Sequence, residues 1–257
     1  MLASLTAGTV VGTSDARRHL IFFADAAEGK NRVGGTGGTG GESGVSGAAG
    51  GSGGAALFAM GRGTPGIAPG IYGLGLSSGG GILDASLLFS RSSLVPGATP
   101  QQHFEAFGGP VGDDGDSVVA FIGAGGQGSL GIYAFAVTDT GPGGKTNATL
   151  LAKVVDTATP VPGGGGATFT AFPFAPSVSK RTVVFFASVR GGGAGANLSG
   201  IYSWHQPDGT LRPVATLGDT GLVYMAARAG GFDGVNGCAA FYGSTRTQDA
   251  LYLVGVQ

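Results

Sequence analysis

One cysteine, Cys238, stands among 257 residues, so no intrachain disulfide can form and no disulfide framework points to an oxidising compartment. It lies in the apolar run Cys238-Ala-Ala-Phe241 and reads as a buried, inert thiol rather than a nucleophile. Charge is scarce as well: 14 Lys and Arg against 15 Asp and Glu leave a net charge of -1 and no basic stripe to neutralise phosphates. Nucleic acid is therefore not an expected partner. No apolar run approaches the ~18 residues of a membrane-spanning helix. The start, Met1-Leu-Ala-Ser-Leu-Thr6, has neither the basic lead nor the sustained apolar core of a signal peptide. This fits a chain not exported by that route, or a mature form or fragment. Helical periodicity is missing too, because Gly or Pro interrupts almost every window.

What is abundant is glycine, 55 residues of 257, far above the ~7% of ordinary proteins and without a collagen period. Glycine at this level suits many short strands joined by many turns. The strands recur in a fixed order. Val118-Val-Ala-Phe-Ile122 is followed by Gly131-Ile-Tyr133, Leu150-Leu-Ala-Lys-Val-Val155, a Pro-Gly turn, and Phe169-Thr-Ala-Phe172. Eleven residues separate Phe172 from Val183-Val-Phe-Phe186, and eleven separate Phe107 from Val118. Earlier copies are Leu20-Ile-Phe-Phe23, Gly70-Ile-Tyr72, Leu87-Leu-Phe89 and Phe104-Glu-Ala-Phe107. Later ones are Gly200-Ile-Tyr202, Leu211-Arg-Pro-Val-Ala215, Leu222-Val-Tyr-Met225, Cys238-Ala-Ala-Phe241 and Ala250-Leu-Tyr252.

First strands thus start near 20, 118, 183 and 238, roughly 55 to 65 residues apart once residues 28–56 are set aside. That glycine-rich tract reads as a flexible surface insertion. Four short strands per unit, several apolar at consecutive positions, predict strands covered on both faces. The expected fold is all-β: a single propeller-like repeat domain over residues 1–257, of about four blades. Residues 1–17 are expected to complete the final blade, with the Phe-x-x-Phe strand closing each unit.

Phe104, Phe107, Val119-Ala-Phe121, Gly131-Ile-Tyr133, Pro162-Gly-Gly-Gly165, Phe169 and Phe172 carry a resemblance to the tandem repeat of bacterial surface-anchored, propeller-like proteins. It covers most of the chain outside residues 28–56. The resemblance implies an exported surface or matrix protein and transfers an architecture with no catalytic residue. The chain shows neither the signal peptide nor the C-terminal anchor of that pattern.

Several motifs suggest chemistry. Gly123-Ala-Gly-Gly-Gln-Gly128 satisfies G-x-G-x-x-G, yet a strand rather than a helix should follow it, so a hairpin loop is expected. Gly143-Gly-Lys-Thr146 ends like a phosphate loop, but Asp139 occupies the first glycine position. Gly50-Gly-Ser-Gly-Gly54 matches a nucleophile elbow only by composition. Asp113, Asp114 and Asp116 form the one acidic cluster. It reads first as a turn, second as a Ca²⁺ site, third as an acid and base pair. His19, His103 and His205 are spread one per unit and are expected at the surface or at strand edges. Tyr202 and Trp204 share one strand face and are expected in the core. Asn147-Ala-Thr149 and Asn197-Leu-Ser199 are sequons expected in loops.

The functional expectation is a non-enzymatic extracellular or surface module presenting loops to a protein or glycan, with no cofactor unless Asp113, Asp114 and Asp116 hold Ca²⁺. The alternatives are a carboxylate-dependent hydrolase or lyase on the same scaffold, and an inactive fragment of a longer repeat protein.

Overall fold

The computed structural model describes residues 4–5, 9–12, 18–25, 69–77, 81–98, 100–112, 117–139, 145–191, 197–206, 208–226, 232–233 and 237–256. Among them the regular structure is almost wholly strand, in four antiparallel sheets taken in sequence order. The first holds β1 (Ser4–Leu5), β2 (Thr9–Gly12), β3 (Arg18–Asp25), β4 (Gly70–Leu76) and β5 (Ile82–Ser90). The second holds β6 (Phe104–Phe107), β7 (Val111–Gly112), β8 (Val118–Gly125), β9 (Leu130–Asp139) and β10 (Thr146–Asp156). The third holds β11 (Thr168–Ala171), β12 (Ser177–Ser179), β13 (Thr182–Arg190), β14 (Gly200–His205) and β15 (Thr210–Thr216). The fourth holds β16 (Tyr224–Ala226), β17 (Phe232–Asp233), β18 (Cys238–Ser244) and β19 (Asp249–Gly255). One four-residue helix, α1 (Leu217–Thr220), joins the last two sheets.

The wiring is the same each time. Two short strands share one edge of a long strand, whose other edge pairs with the next; in the first three sheets a further strand follows. At one register position in every sheet a Phe faces a Tyr across the two central strands: Phe22 and Tyr72, Phe121 and Tyr133, Phe185 and Tyr202, Phe241 and Tyr252. Their ring centroids lie 5.9, 5.7, 6.0 and 5.4 Å apart, with interplanar angles of 18°, 32°, 22° and 15°. Such cross-strand aromatic pairs stabilise a sheet beyond their buried area.

From the second sheet onward this aromatic face lies on the preceding sheet. Ile21 and Ile71 pack in one cluster with Phe121 and Tyr133, and Val118, Ala120 and Ile132 in another with Phe185 and Tyr202. Val184, Phe186 and Ile201 close on Phe241 and Tyr252 in a third. Burial on both faces explains the unbroken apolar runs: Val118, Val119, Ala120 and Phe121 are all buried. Tyr202 and Trp204 are in the core as expected.

The glycine of each Gly-Ile-Tyr has a separate cause. The outer strand carries one extra residue opposite the Ile-Tyr step, a β-bulge at Leu88, Val154 and Val214 respectively. The bulge drives a carbonyl into the glycine. A Cβ on Gly70 would fall 2.3 Å from Phe89 O, on Gly131 2.8 Å from Val155 O, and on Gly200 2.2 Å from Ala215 O. The fourth sheet has no outer strand on β19 among the described residues, and there Ala250 stands in the glycine's place.

Two expectations about pairing are corrected. The Phe-x-x-Phe strands β6 and β11 open the sheet that follows, pairing with β8 and β13, instead of closing the unit before. The link from β6 to β8 is short enough for antiparallel neighbours, whereas the longer stretch after Ser90 carries the chain across to a new sheet. For the same reason β1 and β2 pair with β3 of their own sheet and do not complete the last one. The glycine-rich tract 28–56 lies outside the described residues.

Gly200→Ala is expected to destabilise the protein by about 1–3 kcal/mol in urea unfolding, because the new methyl meets fixed backbone. Ala250→Gly, with no bulge opposite, should change stability by less than about 1 kcal/mol.

Candidate functional site

A buried polar node joins the first two sheets. Asp84 on β5 accepts the Thr146 N–H at Oδ2 (2.7 Å) and the Thr146 hydroxyl at Oδ1 (3.0 Å). With that proton committed to the carboxylate, Thr146 Oγ1 accepts from His19 Nδ1 on β3, at 3.2 Å. Glycines on β4 clear the space: a Cβ on Gly75 would sit 2.1 Å from Asp84 Oδ1, and one on Gly73 2.8 Å from Thr146 Cγ2. His19 and Thr146 are both fully buried, so the expectation of a surface or strand-edge His19 is corrected. Hydroxyl, imidazole and carboxylate suggest a nucleophile set, but the hydroxyl proton points to Asp84 and the oxygen is sealed from solvent. The node is a fastener between sheets.

The exposed chemistry lies where the chain crosses from one sheet to the next. Between β5 and β6 the crossing is held by Ser93 Oγ accepting from Ser90 N (3.0 Å), Val95 N donating to Gln102 O (2.8 Å) and a bridge of Leu94 with His103. Gly97 makes its turn at φ +71°. Between β10 and β11 the same frame recurs. Thr159 Oγ1 accepts from Asp156 N (3.0 Å), Val161 N donates to Ala167 O (2.9 Å), Pro160 bridges Thr168, and Gly163 turns at φ +70°.

What differs is the decoration. The second crossing is tipped by Gly163-Gly-Gly-Gly166. The first carries Pro100, Gln101, Gln102 and His103, and with Arg91, Glu105 and Gly126 these residues border an open cleft of about 690 Å³ floored by Phe104. Arg91, Gln101, His103 and Glu105 are exposed, while Gln102 is tied down by Ser129 Oγ, which donates to its Oε1 (3.1 Å). His103 Nδ1 donates to Ser92 O (2.8 Å), which fixes its tautomer and turns Nε2 outward as an acceptor when the ring is neutral. The cleft thus offers a guanidinium, a carboxylate, an imidazole and an amide on a hydrogen-bonded frame. The third crossing, into the fourth sheet, runs through α1, capped by Thr216 Oγ1 accepting from Asp219 N (3.1 Å) and ended by Gly221 at φ +66°.

The other sequence candidates fall out as follows. Asp113, Asp114 and Asp116, with the Ca²⁺ and acid-base readings placed on them, lie outside the described residues, as do Gly50–Gly54, Gly143 and Gly144. Gly123–Gly128 ends β8 and forms a 3-10 turn before β9, the expected hairpin; its Gly126 lines the cleft. Thr146 gives its N–H to Asp84. His205 is exposed and pairs across the strands with Thr182 (Nδ1 to Oγ1, 2.8 Å). Asn147 is exposed within β10 and not in a loop; Asn197 is in the expected loop, its Oδ1 accepting from Ser199 N (3.2 Å). Cys238 is half-buried at the start of β18 rather than fully buried. Among the described residues no three His, Cys, Asp or Glu side chains cluster to hold a metal ion, and no helix is long and apolar enough to cross a membrane.

Shifted titrations mark structure here. Burial pushes Tyr133 and Tyr202 up to about 12, aided by the charges of Asp156 and Asp219. Tyr202 donates to Leu198 O, whereas the Tyr133 hydroxyl has no hydrogen-bond partner among the described residues, the loop before β9 being shorter. Burial raises Asp156 as well, but bonds from Lys153 Nζ (2.6 Å), Thr159 Oγ1 (2.6 Å) and Ala158 N (3.1 Å) outweigh it and hold the carboxyl below its ordinary value.

Two measurements check these assignments. Thr146→Val removes the hydroxyl between Asp84 and His19 and should cost about 1–3 kcal/mol in chemical unfolding. Asp156→Asn should cost roughly 1 kcal/mol at pH 7 after allowing for solvent screening. Because the folded-state pKa is depressed, that difference should shrink as pH falls through the ordinary carboxylate value of 3.8 and below, where the native carboxyl is also protonated.

The chain matches no protein-family model, no curated protein and no solved structure.

Proposed function

We propose that this chain is a non-enzymatic, propeller-like binding module of four blade-like sheets, and that the cleft bordered by Arg91, Gln101, His103 and Glu105 takes a polar ligand, a glycan in the first instance. The observation that carries the reading is the pair of matched crossings. One frame of hydrogen bonds is built twice, once tipped with bare glycine and once with polar side chains, of which Gln102 and His103 are held in place by hydrogen bonds. Variation concentrated on the crossing segments of a rigid scaffold is the usual mark of recognition. The mixture of one cation, one anion and neutral amides suits a hydroxyl-rich ligand better than a strongly charged one. No buried, activated nucleophile among the described residues favours the hydrolase or lyase reading. Placement at a cell surface or outside the cell rests on the repeat's resemblance to surface-anchored proteins.

Thermal unfolding against a panel of soluble glycans, with and without Ca²⁺ and a chelator, tests the proposal. A ligand at ~100 times its Kd should add about 2.7 kcal/mol to the folded state and raise the Tm visibly. The triple variant Arg91→Ala, His103→Ala, Glu105→Gln should keep the unliganded Tm and lose the shift. A shift that survives the triple variant, or a panel that moves nothing, sinks the assignment of this cleft.

A further inference from the structure

Every internal interface joins two unlike faces. A sheet receives its successor through the positions beside its Phe–Tyr pair, and the successor lays its own Phe–Tyr face on them. The outer strands follow, β10 packing on β4 and β5. In cross-strand register the receiving position next to the Tyr is Ile71, Ile132 and Ile201 in the first three sheets, each 0% exposed. In the fourth it is Leu251, which is 73% exposed, followed two residues on by Leu253 at 75% and flanked by Tyr242 and Tyr224.

Among the described residues the two outermost sheets thus turn faces of opposite kind away from the others. The fourth sheet shows a receiving face with nothing among the described residues upon it. The first sheet shows the Phe–Tyr kind. Its inner part, Phe22 and Tyr72, is buried, while the adjoining row on β5 has Leu83 51% and Leu87 46% exposed. Leu87 is the cross-strand partner of Tyr72. Of the eight large apolar side chains exposed among the described residues, six belong to these two ends. Ala250 to Gly255 contains neither charge nor proline and pairs with β18 without a bulge, so β19 carries none of the devices that protect an exposed strand; on β5, although the strand is bulged at Leu88, the outward row Leu83, Ala85, Leu87 is likewise uncharged.

We propose that these faces join copies of this chain head to tail, the fourth sheet of one copy docking on the first sheet of the next. The contact repeats the pairing of unlike faces seen inside the chain, with the β5 row beside the buried Phe22–Tyr72 pair in place of the pair itself. It places Leu251 and Leu253 of one copy against the Leu83 and Leu87 row of the other. A net charge of -1 offers little repulsion between copies. Because the two faces differ, the contact is heterologous, and a pair of copies still offers one face of each kind.

Sedimentation velocity over a concentration series tests it. The wild-type chain should form a series that grows beyond a dimer. Leu251→Lys with Leu253→Lys, and separately Leu83→Lys with Leu87→Lys, should each weaken self-association by about tenfold or more while leaving the melting temperature unchanged. Mixing the two variants in equal amounts should restore a 1:1 dimer that grows no further, since one intact face of each kind remains. That recovery also reports that both variants are folded. Continued dimerisation of the Leu83→Lys, Leu87→Lys variant alone would overturn the proposal in favour of a two-fold contact between fourth sheets. A wild-type chain that stays monomeric at every concentration would overturn it too. Leu83→Cys, Leu253→Cys cross-linking within that monomer would identify closure of the chain on itself as the reason.

Discussion

The Phe–Tyr pair across the central strands is the constraint on which this molecule depends. It commits each sheet to one register, because a slip of one residue would send both rings to the opposite face. It also makes each sheet asymmetric, with the Phe–Tyr pair on one side and an isoleucine or leucine at the position beside the Tyr on the other, and the consecutive sheets pack with unlike sides together. Phe104 and Phe169 reinforce the pair from the neighbouring strand, meeting Tyr133 and Tyr202 edge to face at 5.0 Å and angles of 89° and 88°. Two sheets separated by some 65 residues have thus arrived at one arrangement of rings.

Around this core the backbone is spaced by glycine and fastened by polar groups. The bulge opposite Gly70, Gly131 and Gly200 bends the outer strand, and the absent side chain lets it approach. Ala250 marks the one sheet where that pressure is lifted. Between the first and second sheets the node of Asp84, Thr146 and His19 adds direction to a contact that is otherwise apolar and non-directional. Crossing segments with a common frame then leave their tips open to variation, and the cleft beside Arg91 is the result.

The strands were legible in the sequence because doubly covered strands are apolar at consecutive positions, and Val118 to Phe121 needs no context to be read that way. Glycine turns and the Tyr202–Trp204 face were legible for similar local reasons. Pairing was not. Whether Phe104-Glu-Ala-Phe107 closes one sheet or opens the next depends on link lengths and on partners that periodicity does not contain. His19 was misplaced because the groups that bury it are distant in the chain, Thr146 lying 127 residues away. The cleft escaped notice although a signal existed. Aligning Ser90 to Ser93 and Pro96-Gly97 with Asp156 to Thr159 and Pro162-Gly163 exposes the two crossings as equivalents, and Gln101, Gln102 and His103 as the departure from the glycine-tipped one.

The wiring also shapes how the chain folds. Strands pair with neighbours in sequence, and each sheet packs on the one just made, so the ordering entropy of any new sheet is met by a template already in place. Three of the four buried apolar clusters among the described residues are shared between consecutive sheets, so structure should spread outward from a founding pair. The second and third sheets, with Val155, Phe169 and Trp204 shared between them, are the natural founders. The fourth, held by a single face, should be the last to arrive and the first to open, which places the fastest-exchanging amides of the sheets at the end where Leu251 and Leu253 meet solvent.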